Sequence, residues 1–292
     1  MAGKFRNLYY SVCKYCYRVL PDTFFHNVNA FVMHKRFGCK YHWMDINNPK
    51  TFSEKLQYLK THPVCDNEME LADKYDVREF IKKTIGEDYL VPILGVYSSV
   101  DEIDFKSLPN EFVLKLTKGS GYNLIVTDKS ALDLNQTKKT LKQWLKVNPY
   151  YFSREPQYKG QSRLVCEKML EYNITDYKFF CFDGKAVYVE LYMDRFGEHK
   201  KVFYNMDWER VPFTTAGDVC NLEVEKPVEF DEMRAVAEKL AKDMAFVRVD
   251  LYVHGGKVYF GEMTFFPAGG YTPITPHEWE YKLGEQIPLQ IL

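Results

Sequence analysis

The chain has 292 residues, 39 Lys and Arg against 40 Asp and Glu for a formal net charge of −1, and 46% hydrophobic side chains. That length can bury a sizeable core and suits one large domain or two to three closely joined subdomains, while the near-zero charge leaves no global field to recruit nucleic acid. No apolar run reaches the roughly 18 residues of a membrane span, the first residues lack the apolar core of a signal peptide, and an odd set of seven scattered cysteines fits reduced thiols in a cytosol.

Charge is uneven along the chain. Residues 1–40 carry Lys4, Arg6, Lys14, Arg18, Lys35, Arg36 and Lys40 against Asp22, a local +6, interleaved with Tyr9, Tyr10, Tyr15, Tyr17, Phe24, Phe25 and Phe31. Such a mix either lies against an anionic membrane surface or polymer, or forms a basic helical layer packed on the body of the protein. Residues 5–37 read as helical, broken at Pro21, and the lone Cys13-Lys-Tyr-Cys16 inside them reads as packing rather than redox or zinc chemistry. A short helix is expected over Thr51–Lys60, capped by Ser53 with Pro49 upstream. Asp73–Lys83 reads as another helix, followed by an apolar strand over Tyr89–Tyr97.

Strands at Phe112–Thr117 and Asn123–Thr127 flank Gly119-Ser120-Gly121, and Asn135–Val147 has the apolar spacing of a helix. The remainder is mostly antiparallel sheet. Arg163–Leu170 forms one strand, Tyr177–Tyr192 folds back at Asp183-Gly184, Val202–Asp207 follows, and a helix covers Asp231–Met244. A last hairpin turns at Gly255-Gly256. Strands and helices mix without a βαβ rhythm, which argues for an α+β fold. Neither a dinucleotide-binding fingerprint nor a Walker sequence is present.

Several residues stand out chemically. Lys115 lies in an otherwise apolar strand, where an anion must meet it to offset desolvation. The Gly119–Gly121 turn lets backbone N–H groups approach phosphate oxygens, and Lys118 adds a second cation. Asp73-Lys74 with Arg78 is a charged helix start, and Glu167-Lys168-Met169-Leu170 is a strand end with charged flanks. Arg195, Lys200, Lys201 and Arg210 are either grips for an anionic acceptor or solvated charges.

In the last hairpin, Asp250 on one arm and Glu262 with Thr264 on the other, beside Arg248, suit a hard cation carrying phosphate. Their register matters. A strict two-residue turn sets Asp250 opposite Gly261 and sends Glu262 to the other face. An odd-length loop or a β-bulge sets Asp250 opposite Glu262, and this is the expectation.

These pieces occur in an order that resembles the ATP-grasp superfamily, and their wording resembles its TupA-like branch of teichuronopeptide and surface-polysaccharide biosynthesis. The phrases that carry the likeness are TFSEKLQ (51–57), ADKYDVR (72–78), VLKLTKGSGYN (113–123), DYKFFCFDGK (176–185) and GEMTFFPAGG (261–270). The resemblance implies two α+β lobes with antiparallel sheets clasping ATP, plus a helical N-terminal segment. By this likeness, residues 1–60 form the basic helical segment and 61–110 a segment preceding the clasp. The small lid follows at 111–165, and 166–292 form the larger lobe with the metal site.

The resemblance further implies that Lys74, Lys115 and Lys118 contact phosphates under the Gly119, Ser120 and Gly121 loop, and that Glu167, Lys168, Met169 and Leu170 hold adenine and ribose. Asp250, Glu262 and Thr264 would bind Mg²⁺. Thr264 departs from the Asn that many members carry there. Arg248, with Lys115, would neutralise the transferring phosphoryl group. The implied activity is a carboxylate–amine ligase that joins an amino acid or peptide to a uronic acid of a surface glycan or its lipid-linked precursor. It would act in the cytoplasm, at the inner face of the membrane if residues 1–40 bind there. A glycosyltransferase or sugar kinase is the alternative, although no Asp-x-Asp occurs in the chain.

Overall fold

The computed structural model describes residues 12, 14–16, 18–62, 68–194, 200–215 and 222–289. Residues 1–11, Cys13 of the Cys-x-x-Cys pair, and Arg195 therefore lie outside the described residues.

Helix α1 (Asp22–Arg36) begins directly after Pro21, with Asp22 in its first turn and His34, Lys35 and Arg36 in its last. Those charges complement the partial charges of the helix ends. Helix α2 (Phe52–Thr61) is capped by Thr51 rather than the expected Ser53: Thr51 accepts from the Glu54 amide while the Glu54 carboxylate accepts from the Thr51 amide. Ser53 is already inside the helix and donates through Oγ and its amide to the carboxylate of Glu280. Glu280 belongs to a C-terminal helix that sequence reading missed. Helix α3 (Val77–Thr84) is shorter than expected. Asp73 accepts from the Tyr75 and Asp76 amides, so residues 73–76 make a turn ahead of it.

A four-stranded antiparallel sheet follows, in the order β1-β4-β2-β3, from β1 (Ile93–Tyr97), β2 (Phe112–Leu116), β3 (Asn123–Val126) and β4 (Leu164–Lys168). β1 starts later than expected because Glu87–Tyr89 form a 3₁₀ turn. Strand β2 alternates in burial: Phe112, Leu114 and Leu116 pack with Leu164, Cys166 and Leu141 of α4 (Leu134–Trp144), while Val113 and Lys115 take the other face.

The second sheet has five antiparallel strands in the order β10-β9-β5-β6-β7. They are β5 (Asp176–Phe182), β6 (Lys185–Met193), β7 (Lys200–Asn205), β9 (Phe246–His254) and β10 (Lys257–Thr264), with the short pair β8 (Thr214–Thr215) and β11 (Ile274–Thr275) beside them. The β5–β6 hairpin turns where expected, with Asp183 and Gly184 both at positive φ. Helix α5 (Phe230–Leu240) buries Phe230, Met233, Val236, Ala237 and Leu240 in the core that holds Phe179, Val189, Leu191, Val249 and Leu251. Those strand residues share one face, so their neighbours in sequence, Lys178, Glu190, Arg248 and Asp250, point to the other. Helix α6 (Glu278–Glu285) closes the described chain. The fold is α+β, with two antiparallel sheets as expected.

Candidate functional site

The hairpin β9–β10 sets the site's geometry. Its turn is the strict two-residue one, pairing His254 with Lys257, yet Asp250 faces Glu262 and Arg248 faces Thr264. A β-bulge between Phe260 and Glu262 absorbs the difference, leaving Gly261 as the extra residue. Gly261 is needed there: an added Cβ would lie 2.9 Å from the Asp250 carbonyl oxygen and 2.9 Å from the Tyr252 ring. Of the two ways to bring these acids to one face, the molecule uses the bulge.

Arg248 lies across this face and donates to both Asp250 oxygens at 2.7 and 2.8 Å, to Thr264 Oγ1 at 3.2 Å, and to Glu262 at 3.5 Å. Strand β5 contributes Lys178, which pairs with Asp250 at 2.5 Å and with Asp176 at 3.5 Å. Two cations thus engage Asp250, 1% exposed, whereas Glu262 is 29% exposed with Thr264 beside it at 3.4 Å. Burial alone would raise the Glu262 carboxyl. Lys74, Lys178 and Arg248 outweigh it and hold the group well below the usual carboxylate range. The same carboxylates keep Arg248 and Lys178 charged against the cost of their burial.

Lys74 bridges the two sheets. Its Nζ lies 3.0 Å from Glu262 and donates to the Gly119 carbonyl at 3.2 Å, while its amide donates to Thr117 O at 3.1 Å. Gly119 and Gly121 hold positive φ, as a turn with inward backbone groups requires. Ser120 is exposed at the tip. Lys115 emerges on the same side as Glu167, to which it pairs at 2.6 Å, and Arg78 of α3 reaches that carboxylate at 3.7 Å. Lys118 turns away and donates to Lys159 O. β4 ends at Lys168, which is exposed, and Met169 and Leu170 follow half-buried. A cavity of 640 Å³ opens beside this cluster, lined by Tyr75, Arg78, Leu90, Pro92 and Tyr259 among others.

The acceptor candidates divide. Lys201 joins the site's face at the β7 edge, where its Nζ is 4.0 Å from the buried Glu190, 3.4 Å from Thr215 O and over the Tyr192 ring at 5.0 Å. Lys200 pairs with Met193 in the strand register, and Arg210 bridges Tyr204 farther along β7.

Sequence reading passed over Lys178, although it stood inside one of the quoted phrases, and a polar residue in the apolar run 177–182 was the available signal. It also missed Lys60. This buried lysine donates to Gln57, Ser153 O and Gly269 O at 2.7, 3.0 and 2.7 Å, holding the loop that follows Thr264. Burial pushes Lys60 below the usual lysine range and Glu155, with which it interacts through charge, above the usual carboxylate range.

Asp250 and Glu262 at one register position, with the Thr264 hydroxyl two residues along on the same face, are a hard-cation donor set, and the remaining ligands of such a cation come from phosphates and water. Among the described residues no group of three or more His, Cys, Asp or Glu is placed to hold a metal ion. Lys74 and Lys115, beside the glycine turn, have the charge to meet a phosphate anion.

A family model described as TupA-like ATPgrasp matches residues 54–288. No curated protein matches the sequence. Among solved structures, the D-alanine–D-alanine ligase from Bacillus anthracis complexed with ATP is 17% identical, with 75% of this chain and 65% of that one covered at a TM-score of 0.47. The L-amino acid ligase from Bacillus licheniformis is 11% identical, covering 82% and 55% at 0.45. The N5-carboxyaminoimidazole synthetase from Staphylococcus aureus complexed with ADP is 14% identical, covering 67% and 44% at 0.40. The chain thus spans between 44% and 65% of the length of these three.

Proposed function

This chain belongs to the TupA-like ATP-grasp family, and from that premise we propose that it is an ATP- and Mg²⁺-dependent carboxylate–amine ligase. The observation that carries the reading is the placement of Asp250 opposite Glu262, with Arg248, Thr264 and Lys74 around them. Lys74, Lys115 and the Gly119–Gly121 turn bind the triphosphate, and the end of β4 from Glu167 to Leu170 receives the base and ribose. Asp250, Glu262 and Thr264 would hold Mg²⁺, which would offset the charge of the phosphates.

A carboxylate oxygen of the acceptor attacks the γ-phosphorus and ADP leaves, giving an acyl phosphate. An amine then attacks the acyl carbon, phosphate departs, and the nitrogen loses a proton. Arg248 neutralises the phosphoryl group in the first step. The chain's other contribution is positioning, so no side-chain nucleophile is required.

For substrates we infer a uronic acid of a surface glycan, or its lipid-linked precursor, as the carboxylate and an amino acid or peptide as the amine. Lys201 is the acceptor grip in this reading, and Lys200, Arg195 and Arg210, which follow the central hairpin in sequence, are the further candidates. A lipid-linked acceptor would bring the enzyme to the inner face of a membrane. The test is incubation of the protein with ATP, Mg²⁺, pooled amino acids and glycans of glucuronic or galacturonic acid. ADP release that needs both the glycan and an amino acid supports the reading, and release that needs only a sugar hydroxyl overturns it in favour of a kinase.

A further inference from the structure

Helix α1 buries one side and leaves the other bare. Phe25, His26, Asn29, Ala30 and His34 pack inward, and Asn27 locks the helix to the following segment by accepting from the Met44 amide and donating to the Met44 carbonyl. Phe24, Val28 and Phe31 are exposed, and with Lys35 their four- and three-residue spacing puts them in one stripe. Trp43, 62% exposed, extends the stripe sideways, its ring 6.2 Å from that of Phe24. Tyr15 and Val19, upstream in sequence, are also 81% and 80% exposed.

The charges around this stripe have one sign at one end. Lys35 lies over the Phe31 ring at 5.7 Å and Arg36 over the Phe37 ring at 5.9 Å, with exposed Lys40 close behind in sequence. Asp22, the acid of the first turn, is taken up by Arg154 at 2.5 Å. Exposed aromatics bordered by Lys and Arg are the composition of a face that enters the interface of an anionic bilayer: rings sit at headgroup depth and cations meet lipid phosphates. No helix among the described residues is long and apolar enough to cross a membrane, so the contact is peripheral.

We propose that the Phe24–Val28–Phe31 face of α1, with Trp43, Lys35 and Arg36, docks the protein on an anionic lipid surface. The docking face lies outside the nucleotide and metal residues, so it stands or falls separately from the ligase reading.

The experiment is co-sedimentation of the full chain with vesicles of phosphatidylcholine alone and of phosphatidylcholine mixed with phosphatidylglycerol, at low and high salt. Binding is expected to the anionic vesicles only and to weaken with salt. A Phe24→Ser/Phe31→Ser/Trp43→Ser variant and, separately, a Lys35→Glu/Arg36→Glu variant should each bind at least about tenfold more weakly. Both keep ADP release on soluble substrates unchanged, because the altered side chains are exposed. Equal binding by either variant overturns the proposal, as does equal binding to neutral vesicles. A wild-type dimer that the triple serine variant dissociates also overturns it, assigning the face to a second copy of the chain.

Discussion

The two sheets carry opposite charge balances on the sides that Lys74 links. On the four-stranded side, Lys115 and Arg78 surround a single carboxylate, Glu167. On the five-stranded side, Arg248 and Lys178 meet three: Asp176, Asp250 and Glu262. Lys74 stands between, tied to the glycine turn and to Glu262. The excess of positive charge on one side and of negative charge on the other is what an anion delivered with a hard cation requires. It also explains why each lysine has a carboxylate partner: a buried cation left alone would lose its charge.

The largest expected break comes from the acidic side. Glu262→Gln should lower turnover at least about 100-fold, because it neutralises the most open of the proposed cation ligands, while the protein melts near the wild-type temperature. Activity of the purified variant within a few-fold of wild type would remove the metal assignment. Because Glu262 is held so far below the usual range, its protonation does not supply an acid limb to the pH–rate profile near pH 4–5.

The basic side should respond in binding. Lys115→Ala is expected to weaken ATP affinity about tenfold or more, the scale of a charge-assisted hydrogen bond worth about 1.5–3 kcal/mol. Calorimetric titration of the folded variant decides it, and unchanged affinity would break the contrast between the sheets. Replacing Gly261 by Ala sharpens the same comparison. The added methyl meets backbone at 2.9 Å, so the bulge must shift, at a cost of about 1–3 kcal/mol. Turnover and the Mg²⁺ requirement should suffer while ATP affinity in the absence of metal stays close to wild type.

The last effect lies outside both sheets and reaches stability rather than turnover. Burial pushes Glu280 up to about 7, against a value near 4.5 for the free group, despite the Ser53 hydrogen bonds that oppose the shift. Its contribution to stability is therefore fully present below about pH 4.5 and lost as pH rises through about 7, on the order of 3 kcal/mol in all. Denaturant titrations at the two ends of that window should show a shallower pH dependence in Glu280→Gln. Parallel curves for the two proteins would rule out this group as the source.

Much of the fold was legible because its signals are local. The alternation of β2, the Asp183-Gly184 and Gly255-Gly256 turns and the helix at α5 each need only a few neighbouring residues. Boundaries failed where a longer-range partner intervened: Ser53 was expected to cap α2, but the remote Glu280 takes its hydroxyl and Thr51 caps instead.

By itself the sequence determined an α+β chain with two glycine hairpins, the lysine and carboxylate candidates, and a requirement that Asp250 and Glu262 share a face. Side chains alternate with period two, and that rule is blind to distance. Tertiary structure alone decided that a bulge at Gly261 meets the requirement, that Lys178 from a strand 72 positions away joins Asp250, and that Lys60 holds the loop after Thr264. Those choices depend on which strands become neighbours and on how buried charges find partners, and both are settled only when the sheets pack.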